Sequence, residues 1–129
     1  MIVDTSVLIA ILLEEPGYEA FAMRLGEASV RRMAAPNLFE ASMVMIGRKQ
    51  ERGAVLLDRL VDATRMEIIP FTAGHAAVAR EAFMRYGKGR HAAGLNFGDC
   101  IAYATARLEE MPLLFKGDDF RATDIEAAA

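Results

Sequence analysis

The sequence predicts an α/β fold built on a parallel sheet. Short apolar segments with strand character alternate with longer segments of helical periodicity along the whole chain. Strands that are separated by helices pair in parallel through right-handed crossovers. The length of 129 residues fits one domain, residues 1–129, and no internal repeat or linker divides it.

The N-terminal half predicts two strands, at residues 2–3 and 30–34, the first of them central in the sheet. Thr5 or Ser6 is expected to cap a helix that runs to about residue 13 and is broken by Pro16 and Gly17. Further helices are predicted at residues 18–26, 37–52 and 54–64, with Gly53 closing the second of these three.

The C-terminal half predicts a strand at 67–70, a helix capped by Thr72 and ending near residue 86, and a basic, glycine-containing loop at 87–94. A helix follows from residue 98 or 99 to 110, and Met111-Pro112 breaks it. Two more strands are predicted at 113–115 and, at the sheet edge, 123–125, before an alanine tail.

Composition narrows the class of protein. Apolar residues make up 53% of the chain and charged residues 26%, as in a globular domain. A net charge of −3 counts against a general polyanion binder, but not against a small site that handles phosphate through a cation. Cys100 is the single cysteine, which suits a reducing cytoplasm. The apolar run at 7–13 is too short to span a membrane.

Acidic residues fall where strands end or helices begin. Asp4 follows the first strand, and Asp118 and Asp119 follow the fourth, whereas Glu40 and Asp99 lie in the first turns of predicted helices. In a parallel sheet, strand exits and the helix starts that follow them share one edge, where ligands bind. We therefore expect these carboxylates to converge there.

Capping offers a second interpretation of two of these acids. Asn37 stands three residues before Glu40, and Asn96 three residues before Asp99, as in capping boxes. The helix dipole also favours acids in a first turn. Taken singly, Glu40 and Asp99 are each explained as acids that stabilise the start of a helix. Only the convergence of all four acidic positions favours a functional site.

Carboxylates that crowd together repel one another, and a divalent cation removes the conflict. Mg²⁺ and Mn²⁺ prefer such oxygen ligands, can convert water to hydroxide for attack on phosphorus, and need no protein nucleophile. His75, His91 and Cys100 are isolated, so no zinc pattern is present. The sequence also lacks the usual serine or cysteine nucleophile frames and glycine-rich nucleotide cradles.

Four segments carry a resemblance to the PIN-domain proteins, specifically the VapC-type toxins of toxin–antitoxin pairs. The segments are 1–6 (Met-Ile-Val-Asp-Thr-Ser), 36–41 (Pro-Asn-Leu-Phe-Glu-Ala), 94–100 (Gly-Leu-Asn-Phe-Gly-Asp-Cys) and 113–120 (Leu-Leu-Phe-Lys-Gly-Asp-Asp-Phe). The resemblance covers the chain from end to end. It implies a three-layer α/β/α PIN fold with a central parallel sheet of four or five strands.

The same resemblance implies a Mg²⁺- or Mn²⁺-dependent endoribonuclease, a homodimer and inhibition by a cognate antitoxin. Asp4 and Asp99 would be direct metal ligands, and Glu40 would hold the metal or its water. Asp118 is the favoured fourth acid while Asp119 props the turn, although the reverse assignment stays open. Thr5, Ser6 and Asn96 would support these acids.

Basic residues offer contacts for the RNA backbone. Lys88, Arg90 and His91 lead toward Asp99, and Lys116 precedes the fourth acid, so all four are candidates for phosphate contacts. A solvated loop and an ordinary surface lysine explain the same residues equally well.

The predicted helix at 37–52 is apolar on several faces, so it must be central or meet another chain. With a second patch, formed by Leu12, Leu13, Tyr18 and Phe21, it is expected to line a groove for the antitoxin or the dimer mate. A wholly internal helix is the alternative.

Other functions fit the sequence less well. A receiver-like phosphoryl-signalling module needs an aspartate after a central strand, but residues 68–69 are followed by Pro70-Phe71-Thr72. A haloacid-type phosphatase needs Asp-x-Asp where this chain has Asp4-Thr5-Ser6. A non-catalytic binding protein with an acidic pocket remains the third alternative.

Overall fold

A computed structural model describes residues 1–128 as a four-stranded sheet flanked by helices; Ala129, the end of the predicted domain and of its alanine tail, lies outside the described residues. The strands are β1 (Ile2–Val3), β2 (Arg32–Ala34), β3 (Glu67–Ile69) and β4 (Leu113–Leu114). The helices are α1 (Thr5–Leu12), α2 (Tyr18–Glu27), α3 (Ala35–Lys49), α4 (Glu51–Ala63), α5 (Ala73–Tyr86) and α6 (Phe97–Glu109), with a 3-10 helix at Asp119–Ala122.

The sheet has the order β3-β2-β1-β4, and its neighbouring strands run parallel. Ile2 stands opposite both Arg32 and Leu113, so β1 lies inside the sheet as predicted. The prediction of a parallel α/β sheet with four or five strands is confirmed. Because the strands are parallel, their carboxyl ends share one edge, and Asp4 stands at this edge.

Helices cover both faces of the sheet. Neighbouring residues of a strand point to opposite faces, so each strand contributes to two separate core clusters. Ile2 and Leu113 belong to a core cluster with α5 and α6, whereas Val3 and Leu114 belong to a second cluster with α1, α2, α3 and α4. These two clusters give the predicted three-layer arrangement.

The start of α1 corrects one prediction. Asp4, rather than Thr5 or Ser6, is the N-cap: its backbone is extended and its Oδ2 accepts a hydrogen bond from the Ser6 amide at 3.1 Å. Thr5 and Ser6 lie in the first helical turn; the Ser6 hydroxyl donates to Asp4, and the Thr5 hydroxyl donates to the backbone oxygen of Asn37.

The boundaries of α3 and α4 also differ from the prediction. α3 begins at Ala35 with Pro36 in its first turn, where a missing amide hydrogen does no harm, so Asn37 lies inside the helix and caps nothing. The break falls at Gln50, which takes a φ of 57°, and Gly53 lies inside α4. A Cβ atom at Gly53 would stand 2.1 Å from the backbone oxygen of Met45, so glycine permits the close packing of the two helices.

The edge strand predicted at 123–125 is wrong. Phe120 is buried in the core, and the Tyr103 hydroxyl donates to Asp124 at 2.5 Å, which holds this segment against α6. The chain reaches the outer edge of β4 only afterwards, where Leu113 donates to the Glu126 oxygen at 2.9 Å.

The exposed face of α3 shows that this helix is not wholly internal: Phe39 is 65% and Met43 56% exposed. By contrast, Leu12 and Phe21 pack against the core cluster around Val3. The groove predicted from both segments therefore stays a prediction, with an exposed apolar surface only on its α3 side. Within residues 1–128, no helix is long and apolar enough to cross a membrane.

Replacement of Gly53 by alanine tests the contact between α3 and α4. The added methyl group would overlap the Met45 backbone, so we expect Gly53→Ala to lower the free energy of unfolding by about 1–3 kcal/mol. Gly47→Ala is the matched control, because a Cβ atom there meets nothing within 4 Å. We expect the control to be neutral or stabilising by up to ~1 kcal/mol. Urea unfolding followed by circular dichroism measures both, and equal midpoints for the two variants would contradict the packing argument.

Candidate active site

Asp4 is a buried carboxylate at the exit of the central strand. It is 5% exposed, and its Oδ2 accepts hydrogen bonds from the Ser6 amide at 3.1 Å and the Ser6 hydroxyl at 2.5 Å. Burial raises the pKa of Asp4 to about 6, the Ser6 hydrogen bonds oppose this rise, and the charge of Glu40 adds to it. The surroundings of Asp4 thus disfavour its ionised form.

The two hydroxyls that follow Asp4 connect it to neighbouring elements. The Ser6 hydroxyl accepts a hydrogen bond from the backbone amide of Lys116 at 3.0 Å, so one serine joins the exits of β1 and β4. The Thr5 hydroxyl donates to the backbone oxygen of Asn37 at 3.0 Å and so joins α1 to α3. Both predicted supporting residues therefore contact the elements that carry other acids.

Asn37 holds α3 against the start of α6. Its side chain is fully buried, and its Nδ2 donates to the backbone oxygen of Gly98 at 3.1 Å. One turn later, the Glu40 carboxylate lies so close to Gly98 that a Cβ atom there would stand 2.4 Å from Glu40 Oε2. The sequence pattern had indicated only a cap at Asn37, and its role as a buried bridge was missed.

Asp99 forms the capping box that the sequence predicted. Its Oδ2 accepts from the Asn96 amide at 3.1 Å, and Asn96 Oδ1 accepts from the Asp99 amide at 2.9 Å. Burial raises the pKa of Asp99 to about 7, the Asn96 hydrogen bond lowers it, and the charges of Asp4, Asp119 and Glu40 raise it further. Asp99 therefore caps its helix and also lies within the electrostatic reach of three other acids.

The two acids after β4 have different surroundings. The side chain of Asp118 is 93% exposed and forms an ion pair with Arg121 at 3.1 Å. Asp119 opens the 3-10 helix, and its charge contributes to the raised pKa of Asp99. Both acids are exposed and neither lines the pocket described below. Asp119 is the one whose charge acts on Asp99, whereas Asp118, the favoured fourth ligand, pairs with Arg121.

Asp4, Glu40 and Asp99, but not Asp118 or Asp119, line an open pocket of about 300 Å³. The lining residues are Asp4, Thr5, Ser6, Ile9, Glu15, Glu40, Val44, Asn96 and Asp99. No Lys, Arg or His lines this pocket, and none of the ion pairs within residues 1–128 involves Asp4, Glu40, Asp99 or Asp119. Among the residues that the structure describes, only Glu15 of the four acids that line the pocket has a cationic partner, Lys116, and the charges of Asp4, Glu40 and Asp99 are uncompensated by protein cations.

The donor set fits a hard divalent cation, because Asp4, Glu40 and Asp99 offer carboxylate oxygens that no protein cation within residues 1–128 neutralises. In the described part of the chain, no three carboxylate, imidazole or thiol groups already converge closely enough to hold one ion together. The pocket acids therefore do not form a ready three-ligand metal site in this structure, and a cation held there by one or two carboxylates would have to keep several waters.

Of the four residues predicted to contact RNA phosphates, only Lys116 is connected to the acidic pocket. Lys88, Arg90 and His91 are exposed on the loop between α5 and α6, and none of them lines the acidic pocket. Lys116 is connected to the pocket through two contacts: its backbone amide bonds to Ser6, and its Nζ lies 2.8 Å from Glu15 Oε1. Glu15 is a pocket residue that the sequence did not single out.

Comparison with known proteins identifies relatives of this chain. A family model described as PIN domain matches residues 1–126. Ribonuclease VapC of Mycolicibacterium smegmatis is 42% identical over 127 residues, which cover 98% of each chain. Ribonuclease VapC36 of Mycobacterium tuberculosis is 44% identical over 127 residues, covering 98% of this chain and 91% of the relative.

Solved structures show the same fold at lower identity. VapC20 of Mycobacterium tuberculosis, described as a Sarcin-Ricin loop cleaving toxin, aligns with a TM-score of 0.78 at 22% identity and covers 98% of this chain and 97% of its own. VapBC2 of Rickettsia felis, bound to a DNA fragment from its promoter, aligns with a TM-score of 0.77 at 17% identity, covering 98% and 94%. The predicted resemblance and the three-layer fold are confirmed: the chain belongs to the PIN-domain family and, within it, to the VapC ribonucleases.

Proposed function

We propose that this chain is a divalent-metal-dependent endoribonuclease, the toxin of a toxin–antitoxin module, formed by a single domain. The observation that carries the proposal is the pocket in which Asp4 and Asp99 have raised pKa values and no cationic partner. Such perturbed acids in a cleft are typical of functional sites. When bound there, Mg²⁺ or Mn²⁺ supplies Lewis acidity and lowers the pKa of water.

The residues around the pocket have two roles in this proposal, as metal ligands and as supporting residues. Asp4 and Asp99 provide ligand oxygens from two elements, and Glu40 faces the same space from α3. Asp119 is the better candidate for the fourth acid, because its charge acts on Asp99 while Asp118 pairs with Arg121. Ser6, Thr5 and Asn96 hold these elements in register through their hydrogen bonds.

We further propose a homodimer and a cognate antitoxin as partners, with RNA as the substrate. Support comes from an apolar surface beside Glu40, where Phe97 is 82% exposed and Phe39 and Met43 are also exposed. Exposed apolar patches on a soluble domain mark protein interfaces. Lys88, Arg90 and His91 stay candidates for contacts to RNA outside the pocket.

Neutral replacements of the acids test the site. We expect Asp4→Asn and Asp99→Asn each to lower RNA cleavage by roughly a thousandfold or more, because each removes a charged ligand oxygen. Asp119→Asn should lower cleavage by about 10–100-fold, whereas Asp118→Asn, the matched exposed neighbour, should stay near normal. The assay uses total bacterial RNA with Mn²⁺ and then with EDTA. Cleavage that persists in EDTA, or normal activity of Asp4→Asn, would refute the proposed site.

The stability of the metal-free protein should depend on pH through the same acids. The pKa values of Asp4 and Asp99 rise from 3.8 to about 6 and about 7, so folding takes up protons between these limits. The free energy of unfolding therefore falls as the pH rises through this window. Since a cation binds the ionised carboxylates, Mn²⁺ should raise Tm more at about pH 8 than at about pH 5.

Asp99→Asn is the control for this pH dependence. Without metal, it should be more stable than the unmodified chain at about pH 8, and by a smaller margin at about pH 5, because it removes a carboxylate that is partly buried and lies near other acids. Differential scanning fluorimetry at a series of pH values measures both effects. If the Tm of the metal-free chain rose steadily between about pH 4 and about pH 7, the result would contradict the raised pKa values of Asp4 and Asp99.

The glycine beside Glu40 offers a separate test of carboxylate position. Gly98→Ala puts a methyl group where the Glu40 carboxylate lies, so the flexible side chain must move away. We expect cleavage to fall about tenfold with little change in Tm, a loss within the range for groups that orient metal ligands. Gly74→Ala is the matched control, because Gly74 holds the same helix position after the Thr72 cap and its Cβ would meet only Thr72 Oγ1, at 3.6 Å. Equal activity of the two variants would exclude a positional requirement for Glu40.

A further inference from the structure

Glu15 reaches the rim of the acidic pocket because of the way α1 ends. Glu14 takes a left-handed φ of 50°, its amide bonds to the Ile11 oxygen at 3.3 Å, and the Glu15 amide bonds to the Ala10 oxygen at 2.9 Å. This is the hydrogen-bond pattern of a Schellman motif, which fixes the two residues that follow a helix. The backbone of Glu15 is therefore held in place, and its carboxylate joins the pocket lining.

Lys116 approaches the same rim from the other side. Its backbone amide donates to the Ser6 hydroxyl at 3.0 Å, and this hydroxyl donates to Asp4. Its ammonium group lies 2.8 Å from Glu15, with both side chains about one-third exposed. The backbone of Lys116 is thus anchored next to Asp4, while its side chain can change partner.

The pairing of Lys116 matters because of the charges around it. No basic residue lines the pocket, and within residues 1–128 Lys116 is the one basic side chain in an ion pair with a lining residue. An ion pair between two side chains that are each about one-third exposed contributes little to stability, so Lys116 can exchange Glu15 for another anion. A phosphate group that reaches this rim would offer Lys116 such an anion.

We infer that Lys116 binds a backbone phosphate of the RNA next to the acidic pocket, and that Glu15 is a positioning residue that holds the ammonium group there until phosphate replaces it. This inference rests on the proposed ribonuclease function and adds a substrate contact to it. Glu15 thereby acts as a competitor for the phosphate. RNA that fails to reach Lys116 meets an uncompensated acidic rim, whereas RNA that reaches it gains a charge-assisted contact.

A double-mutant cycle tests this inference. RNA binding is measured by fluorescence polarisation with Mg²⁺ and a labelled single-stranded RNA of mixed sequence, in the Asp99→Asn background, where cleavage is blocked. We expect Lys116→Met to weaken binding about tenfold and to reduce the salt dependence of log K by about 0.7, as one lost phosphate contact requires. Lys116→Arg should keep most of the affinity, and exposed Lys49→Met on α3 is the matched control.

The decisive variant is Glu15→Gln. It should tighten RNA binding several-fold when Lys116 is present and have little effect in the Lys116→Met background, because its action passes through Lys116. With Asp99 intact, the same changes should move KM more than kcat. A merely structural ion pair would instead change Tm and leave the salt dependence unaltered.

The outcomes separate the two proposals. Additive effects of Glu15→Gln and Lys116→Met, or equal effects of Lys116→Met and Lys49→Met, would overturn the inference while normal cleavage leaves the ribonuclease in place. Failure of the unmodified chain to cleave RNA would remove the proposed function, and a coupled binding cycle would then still support Lys116 as a phosphate ligand paired with Glu15.

Discussion

The burial of the Asp4 carboxylate is the constraint on which the rest of the site depends. This side chain caps α1 at the end of the central strand, so the chain cannot move it without undoing the first turn of that helix. Ser6 compensates part of the burial and is itself tied to the strand on the other side. The hydrogen bonds of Asp4 and Ser6 thus connect the end of β1, the start of α1 and the chain after β4. The position of Asp4 is fixed by these contacts, and the other acids lie around it.

The contact between α3 and α6 has an equally narrow basis. Asn37 bonds to the backbone at Gly98, and the absence of a side chain at Gly98 leaves room for the Glu40 carboxylate. Two helices far apart in sequence therefore bring their acids together through one amide and one glycine. Changes at these two positions would therefore alter the arrangement of the pocket acids without replacing an acidic residue.

Much of the fold follows from pattern, because alternating strands and helices dictate a parallel sheet, and a parallel sheet collects its strand exits at one edge. Asp4, Glu40 and Asp99 could be predicted on that basis. The choice between Asp118 and Asp119 could not, since it depends on which way the turn directs each side chain. Asn37 was misread because a capping asparagine and a buried bridging asparagine look alike in sequence. The prediction of a strand at 123–125 was wrong because the hydrogen bond between Tyr103 and Asp124 holds this segment against α6, and such a tertiary contact cannot be read from the local sequence.

The packing of α6 has a consequence for the cation that we propose for the pocket. Every residue from Cys100 to Ala106 is buried, so the helix that carries Asp99 has almost no freedom to shift. Glu40 reaches the pocket on a long side chain, and Asp119 belongs to a single 3-10 turn whose other side chains are mostly exposed. Two carboxylates are therefore fixed and two are adjustable. Discrimination between ions of different radius depends on ligand rigidity, so a cation bound as proposed would meet two rigid and two adjustable carboxylates and could vary in size.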